Sequence, residues 1–324
     1  MTEGKGEPVM VKSVLSQEDT LDIDVPVSRV TLSLRRCWET FKNAVSELCR
    51  SKTAMVGALM LLVLLGLCLL TPYIARYDPI KQNYREMLQT PSTKHYFGTD
   101  RYGRDIWSRI LWGGRRLLTI SVLAVLVGVL VGIPMGTLSG YYGKWIDAFT
   151  MRLVDAQLAF PGILIYLMLA TLVREWKLAG FWNDLALIFA LGINQIPRLA
   201  RLVRGTVLAE KEKEYVEACR AIGEGNLYIS LREILPNCVS PVIVQATVSL
   251  GSTLLVIAAL SFLGLGSPPP TPDWGADLNL ARDHMESRPL IAVFPGLAIS
   301  YAVLAFNLFG DGLRDILDPR LADK

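Results

Sequence analysis

The sequence is poor in charge and in the side chains that most often do chemistry. Only 19% of its 324 residues are Asp, Glu, Lys or Arg, against about 25% in an average soluble domain. Its 2 histidines, His95 and His284, fall in separate loops and lack a partner at metal-ligand spacing, so no metal site is expected. The 5 cysteines (Cys37, Cys49, Cys68, Cys219, Cys238) form no CxxC pair and read as reduced structural thiols, small hydrophobes where they sit near or inside apolar helices. The net charge is +3 and the basic residues are scattered, which excludes nucleic acid as an expected partner. The Gly143-Lys144 pair is followed by Trp145 and has no glycine five residues before the pair's own glycine. A phosphate-cradling loop is therefore missing, and so is its nucleotide chemistry.

What the chain does have is apolar length. Hydrophobic residues make up 52% of it and the mean hydropathy is +0.37. They fall into six bands, 53–74, 117–142, 156–173, 183–197, 240–266 and 289–310, each near the ~20 residues that cross a bilayer as a helix. The pattern predicts an all-α membrane protein with six transmembrane helices and the lipid bilayer as its surroundings. It excludes a single soluble domain, a one-span receptor and a porin barrel of short alternating strands. No band carries a charge at its centre, which argues against the proton or ion relay of a coupled secondary transporter. An intramembrane hydrolase would need a histidine or paired carboxylates there. Trp112, Trp145, Trp176, Trp182 and Trp274 lie near the predicted ends, as in an interfacial aromatic belt.

Around the bands, the first ~27 residues read as a polar tail without helical period or the apolar core of a secretory signal. Leu34, Cys37, Trp38, Phe41, Val45 and Leu48 share one helical face, predicting a helix along the membrane surface. The organisation expected is therefore a cytoplasmic tail and surface helix over 1–52, a first span over 53–75, and an external loop over 76–116. A five-helix core over 117–310, with a cytoplasmic loop at 198–236, and a cytoplasmic tail over 311–324 follow. Lys and Arg favour both termini inside, against the arginines Arg101, Arg104, Arg109, Arg115 and Arg116 of the first external loop. Ile106, Trp107, Ile110, Leu111, Leu117 and Leu118 keep helical spacing and predict an amphipathic helix running into the second span. In that span Gly128, Gly132, Gly136 and Gly140 recur every fourth residue, a stripe that lets a neighbouring helix approach closely.

The loop at 210–236 has a definite pattern. Charged residues and alanine favour a helix to Ala221, Gly223 or Gly225 turns the chain, and Leu227–Leu235 forms a second short helix that Pro236 stops. This hairpin resembles the EAA loop of ATP-binding-cassette (ABC) importer permeases, with Glu217-Ala218, Gly223 six residues after the glutamate, and Leu235-Pro236. It departs at Cys219, in place of a second alanine, and at Glu233, where the motif prefers isoleucine. Phe97-Gly-Thr-Asp100 with Gly103-Arg-Asp105, Ser108-Arg109 and Gly114 is similar to the opening segment of the dipeptide and oligopeptide C-type permeases. So are Leu260–Gly266 with Pro268–Pro270 and Thr271–Gly275, and Asp311–Arg320 at the C-terminus. The resemblance runs from about Arg50 to Leu321.

The resemblance implies the type I importer permease fold in the cell (inner) membrane, N-in and C-in, and a transport role without catalysis. It implies a B-type permease subunit as heterodimer partner, two ATP-binding subunits that carry ATP and Mg, and an external substrate-binding protein, with no cofactor on this chain. Substrates would be di- or oligopeptides, or alternatively glutathione-like compounds, nickel chelates or oligosaccharides. Glu217, Ala218, Gly223, Leu235 and Pro236 would couple to the ATPase. Polar residues in or beside the spans, Asn194, Gln195, Gln245, Ser249, Ser252 and Asn307, are candidates for lining a translocation path. Gln245, Ser249 and Ser252 are spaced by four and three residues and so share one helical face. Hydrogen bonding between helices is the alternative role for each.

Overall fold

The computed structural model describes residues 51–175, 181–267 and 269–317. The surface helix expected over 34–48, Cys37, Cys49, Trp176, Pro268 and the segment from 318 lie outside them. Helix α1 (Lys52–Leu69) begins where the Ser51 hydroxyl accepts the Ala54 N–H, satisfying one of the orphan donors of a first turn. It gives way at Leu70 to a short turn of helix, α2 (Thr71–Ile74), with proline in its first turn. A long helix α3 (Ile106–Tyr142) follows the irregular segment 75–105, then α4 (Lys144–Ala159) and α5 (Gly162–Glu175). After them come α6 (Phe181–Glu210), α7 (Glu214–Ala221), α8 (Asn226–Tyr228), α9 (Val239–Phe262), α10 (Trp274–Ala281) and α11 (Leu290–Leu317). Helices α1, α3, α6, α11 and the run Asn226–Phe262 are long and apolar enough to cross a membrane. The bent pair α4 and α5, at 80° to one another, is apolar enough only when taken together, and has the form of either a broken sixth span or a re-entrant loop.

That break corrects the continuous third span expected over 156–173. Phe160 precedes Pro161 and is extended, at φ −89° and ψ 131°, because the proline ring excludes the α conformation from the residue before it. Two other prolines, expected from the sequence to end helices, do not. Helix α6 passes straight through Pro197 to Glu210, so Arg198, Arg201 and Arg204 stand on the spanning helix and not in a loop. The carbonyl that Pro197 leaves without its usual N–H partner is that of Ile193, and the Gln157 side chain donates to it at 2.7 Å. At Pro236 the helical path widens into a π segment over Ile229–Ile234, where Leu235 N–H reaches back to the Ser230 carbonyl. It then tightens into a 3₁₀ turn over Leu235–Cys238 and joins α9. Asn237 Nδ2 donates to the Glu233 carbonyl at 2.9 Å, supplying a side-chain donor beside the proline.

The glycine stripe is a packing seam between α3 and α6. A Cβ at Gly128 would lie 2.6 Å from Gln195 Cβ, one at Gly132 2.8 Å from Leu199 Cβ, and one at Gly136 2.5 Å from the Ala200 carbonyl oxygen. The two backbones approach as closely as a missing side chain permits.

The irregular segment 75–105 is fixed by charge. Asp105 caps α3 through the Ser108 N–H at 2.9 Å and holds His95 Nδ1 at 2.9 Å. Arg104 pairs with Asp100 at 2.6 Å, Arg109 with Asp277 of α10 at 2.6 Å, and Arg116 with Asp184 of α6. The arginines that blur the charge asymmetry of the loops are thus largely spent on folding. Trp274, expected in the aromatic belt, is instead 2% exposed. Its Nε1 donates to the Ile110 carbonyl at 2.8 Å and its ring packs on Gly113 and Gly114, so a buried indole has found its obligatory acceptor.

Candidate functional site

The hairpin predicted over 210–236 is present. Helix α7 carries Glu214 and Glu217 in its first turn, at the end where the helix dipole favours negative charge. It ends in a Schellman motif, in which Gly223 N–H donates to the Arg220 carbonyl and Glu224 N–H to the Cys219 carbonyl, both at 3.1 Å. Gly223 holds φ +86°, a conformation that costs an L-residue about 1–2 kcal/mol. The chain then returns along α8 and the π segment.

The inner face of the hairpin is a second apolar core, with Val216, Ile229, Ile234 and Cys238 packed on Tyr141, Leu199, Val203 and Val207 of α3 and α6. Cys219 packs against the same cluster, so its sulfur does the work of a small apolar side chain. Burial, with the nearby Glu224 carboxylate, pushes the Cys219 thiol pKa up. Polar ties fix the register: Tyr141 Oη donates to Asn226 Oδ1 at 2.9 Å and Lys211 Nζ to the Gly140 carbonyl at 3.2 Å. Tyr215 Oη donates to Glu210 at 3.1 Å and accepts from Asn237 Nδ2 at 3.2 Å. Glu233, the second departure from the motif, contributes its backbone carbonyl to Asn237, a role indifferent to the side chain.

The outer face is the reverse. Glu217 and Ala218 are exposed and, among the described residues, Glu217 makes no ion pair. Beyond them Ile222 is 76% and Leu227 63% exposed, with Tyr228 and Leu231 beside them. An apolar tip next to an unpaired carboxylate, held rigidly from below, is the form of a docking element. Leu235 is half-buried and Pro236 exposed at the base of the hairpin.

The polar residues of the spans separate into two groups. Asn194, Gln195 and Ser252 line a cavity of about 280 Å³ together with Gly162, Tyr166 and Arg198. Asn194 Nδ2 donates to Tyr166 Oη, and a Cβ at Gly162 would lie 2.8 Å from that same Nδ2, so only glycine leaves the amide its place. Gln195 Nε2 donates to Thr253 Oγ1 of α9 at 2.9 Å, while its Oε1 is buried without a partner among the described residues. Gln245, Ser249 and Asn307 stand outside this lining. Gln245 Nε2 donates to Ser249 Oγ at 3.3 Å along α9, which confirms their common face, and Asn307 packs near Gly251. Sequence reading missed Tyr166, hidden in an apolar band, and Arg198, placed in a loop by the proline before it. Among the described residues no cluster of His, Cys, Asp or Glu could hold a metal ion.

The family described as binding-protein-dependent transport system inner membrane component matches residues 132–323. The N-terminal transmembrane domain of oligopeptide transport permease C matches residues 40–91. The chain is 41% identical over 290 residues to the glutathione transport system permease protein GsiD of Pectobacterium atrosepticum, spanning 89% of this chain and 93% of that one. With GsiD of Escherichia coli O157:H7 it shares 44% identity over 273 residues, 84% of this chain and 88% of that one. Among solved structures, a chain of the MetNI methionine ABC transporter in an inward-facing conformation superposes with a TM-score of 0.52 at 18% identity, over 64% of this chain and 96% of that one. That likeness establishes the fold. The protein is thus a multi-pass inner-membrane transport component and not an enzyme, and it belongs to the binding-protein-dependent ABC importer permeases of the oligopeptide C type.

Proposed function

We propose that this chain and a B-type permease subunit together enclose the translocation path of an importer for short peptides, with glutathione the favoured substrate. The similarity along nearly the whole length to permeases named for glutathione transport supports the substrate. The apolar hairpin tip around Glu217, Ala218 and Gly223 supports docking to an ATP-binding subunit, with Leu235 and Pro236 carrying the movement into α9. Two such subunits would bind ATP and Mg, and an external binding protein would deliver the substrate. Of the polar candidates, Asn194, Gln195 and Ser252 have a cavity to line, and Gln245, Ser249 and Asn307 remain candidates for a path completed by the second permease. The hairpin is the observation that carries this reading, because a purely structural loop has no reason to expose Ile222 and Leu227 on a rigid turn.

The test is uptake by the assembled complex in proteoliposomes, with ATP inside and loaded binding protein outside. ATP-dependent accumulation of glutathione, faster than that of an unrelated dipeptide, is expected. Preference for a nickel chelate or an oligosaccharide would refute the peptide assignment, and accumulation without the ATPase subunits would refute the whole scheme.

A further inference from the structure

Helix α6 carries Arg198, Arg201 and Arg204 at intervals of three residues, so they rise along neighbouring positions of the helix surface. The lower two are neutralised by α4. Arg204 is held by both carboxylate oxygens of Asp147, with Nη2 at 2.6 Å, and Arg201 by Asp155 at 2.6 Å. Arg198 sits one turn higher, where α4 ends at Ala159 and the chain turns away through Phe160 and Pro161. The residues that take the place of the next rung, Leu158 to Gly162, include no acid. Among the described residues Arg198 has neither an ion pair nor a hydrogen bond, yet it is exposed and lines the cavity with Asn194, Gln195 and Ser252. The buried Gln195 Oε1 in the same lining also lacks a partner. An unpaired guanidinium beside an unsatisfied amide oxygen, on a helix whose other two arginines are both neutralised, is arranged for an anion brought from elsewhere.

Resting on the peptide-import reading, we propose that Arg198 receives the C-terminal carboxylate of the substrate in this cavity, with Asn194, Gln195 and Ser252 hydrogen-bonding its amide groups. The guanidinium offers a planar fork of donors that matches a carboxylate's two oxygens. The Gln195 Oε1 accepts a peptide N–H. The contact is partly open to solvent, so it is weak enough to be released, as transport demands.

The experiment compares uptake of glutathione with that of glutathione amidated at its glycine carboxylate. Wild-type and Arg198→Gln complexes are used, each normalised to the amount assembled with its partner permease, ATPase subunits and binding protein. The binding protein's own preference is the same in both complexes and cancels from the ratio of ratios. Arg198→Gln is expected to lower uptake of the acid about tenfold more than uptake of the amide, the size of one lost charge-assisted hydrogen bond. If Arg198→Gln fails to assemble, Arg198→Lys is read the same way, with about a threefold ratio expected. A ratio near one, with both forms slowed alike or neither, overturns the carboxylate site and leaves peptide import standing. Wild-type complex that accumulates neither form overturns the peptide reading together with the site.

Discussion

At the scale of single residues, the hairpin and the cavity each turn on a glycine, for opposite reasons. Gly223 has open space where a Cβ would go, so the whole penalty of substitution there is backbone conformation. Gly223→Asn, which tolerates the left-handed region, is expected to keep most ATPase stimulation by loaded binding protein. Gly223→Val is expected to lose it while the complex still assembles at reduced thermal stability. Equal behaviour of the two variants would mean that the turn is not what matters. Gly162 has an ordinary helical conformation but no room, since its Cβ would meet Asn194 at 2.8 Å. Gly162→Ala should displace the amide and slow uptake without changing assembly, read as transport rate per assembled complex. Gly223 was legible in the sequence because a Schellman turn is local. The need for glycine at 162 was not, because Asn194 arrives from a helix more than thirty residues away.

Among whole elements, apolar length located five of the six expected spans, the third being a bent pair of helices instead, and proline misplaced three of the boundaries. Pro161 breaks a helix that apolar length alone would run through, whereas Pro197 and Pro236 end no helix. What decides is whether another group can serve the carbonyl that a proline orphans, and Gln157 and the π segment are invisible to any local rule. The α3–α6 seam was foreseen from the glycine stripe, although its partner was not. Gly136→Val would drive a branched side chain into the Ala200 carbonyl and Val203, and overpacking of this kind costs about 1–3 kcal/mol or more. Loss of assembled complex in detergent, with Gly205→Val unaffected because its surroundings are open, is the expected result. The hairpin is also expected to face the cytoplasm. In an otherwise cysteine-free chain, Cys introduced at the exposed position Glu212 should resist an impermeant maleimide in intact cells and react in inverted vesicles.

Over the whole molecule, the cap formed by residues 75–105, the start of α3 and α10 is tied together by buried charge. Arg109 is 2% exposed and its guanidinium also serves the carbonyls of Pro79 at 2.8 Å and Pro270 at 3.2 Å, so it joins α3, the segment 75–105 and the α9–α10 connection. Arg109→Met would strand Asp277, at a cost of about 3–5 kcal/mol for a buried charge left alone. A marked fall in thermal stability is expected, recovered in part by adding Asp277→Leu. The sequence showed these arginines as a cluster and an anomaly of topology, because their acids lie up to 168 residues away. The bond from Gln157 to the Ile193 carbonyl has a consequence of another kind, in the order of the chain's history. With proline at 197, Gln157→Leu leaves a carbonyl without a donor, worth about 1 kcal/mol or more; in a Pro197→Ala background the helix supplies its own N–H and the same change is expected to be nearly neutral. The two positions are therefore epistatic, and a lineage that gained the glutamine first could accept the proline at little cost, whereas the reverse order passes through a destabilised ancestor.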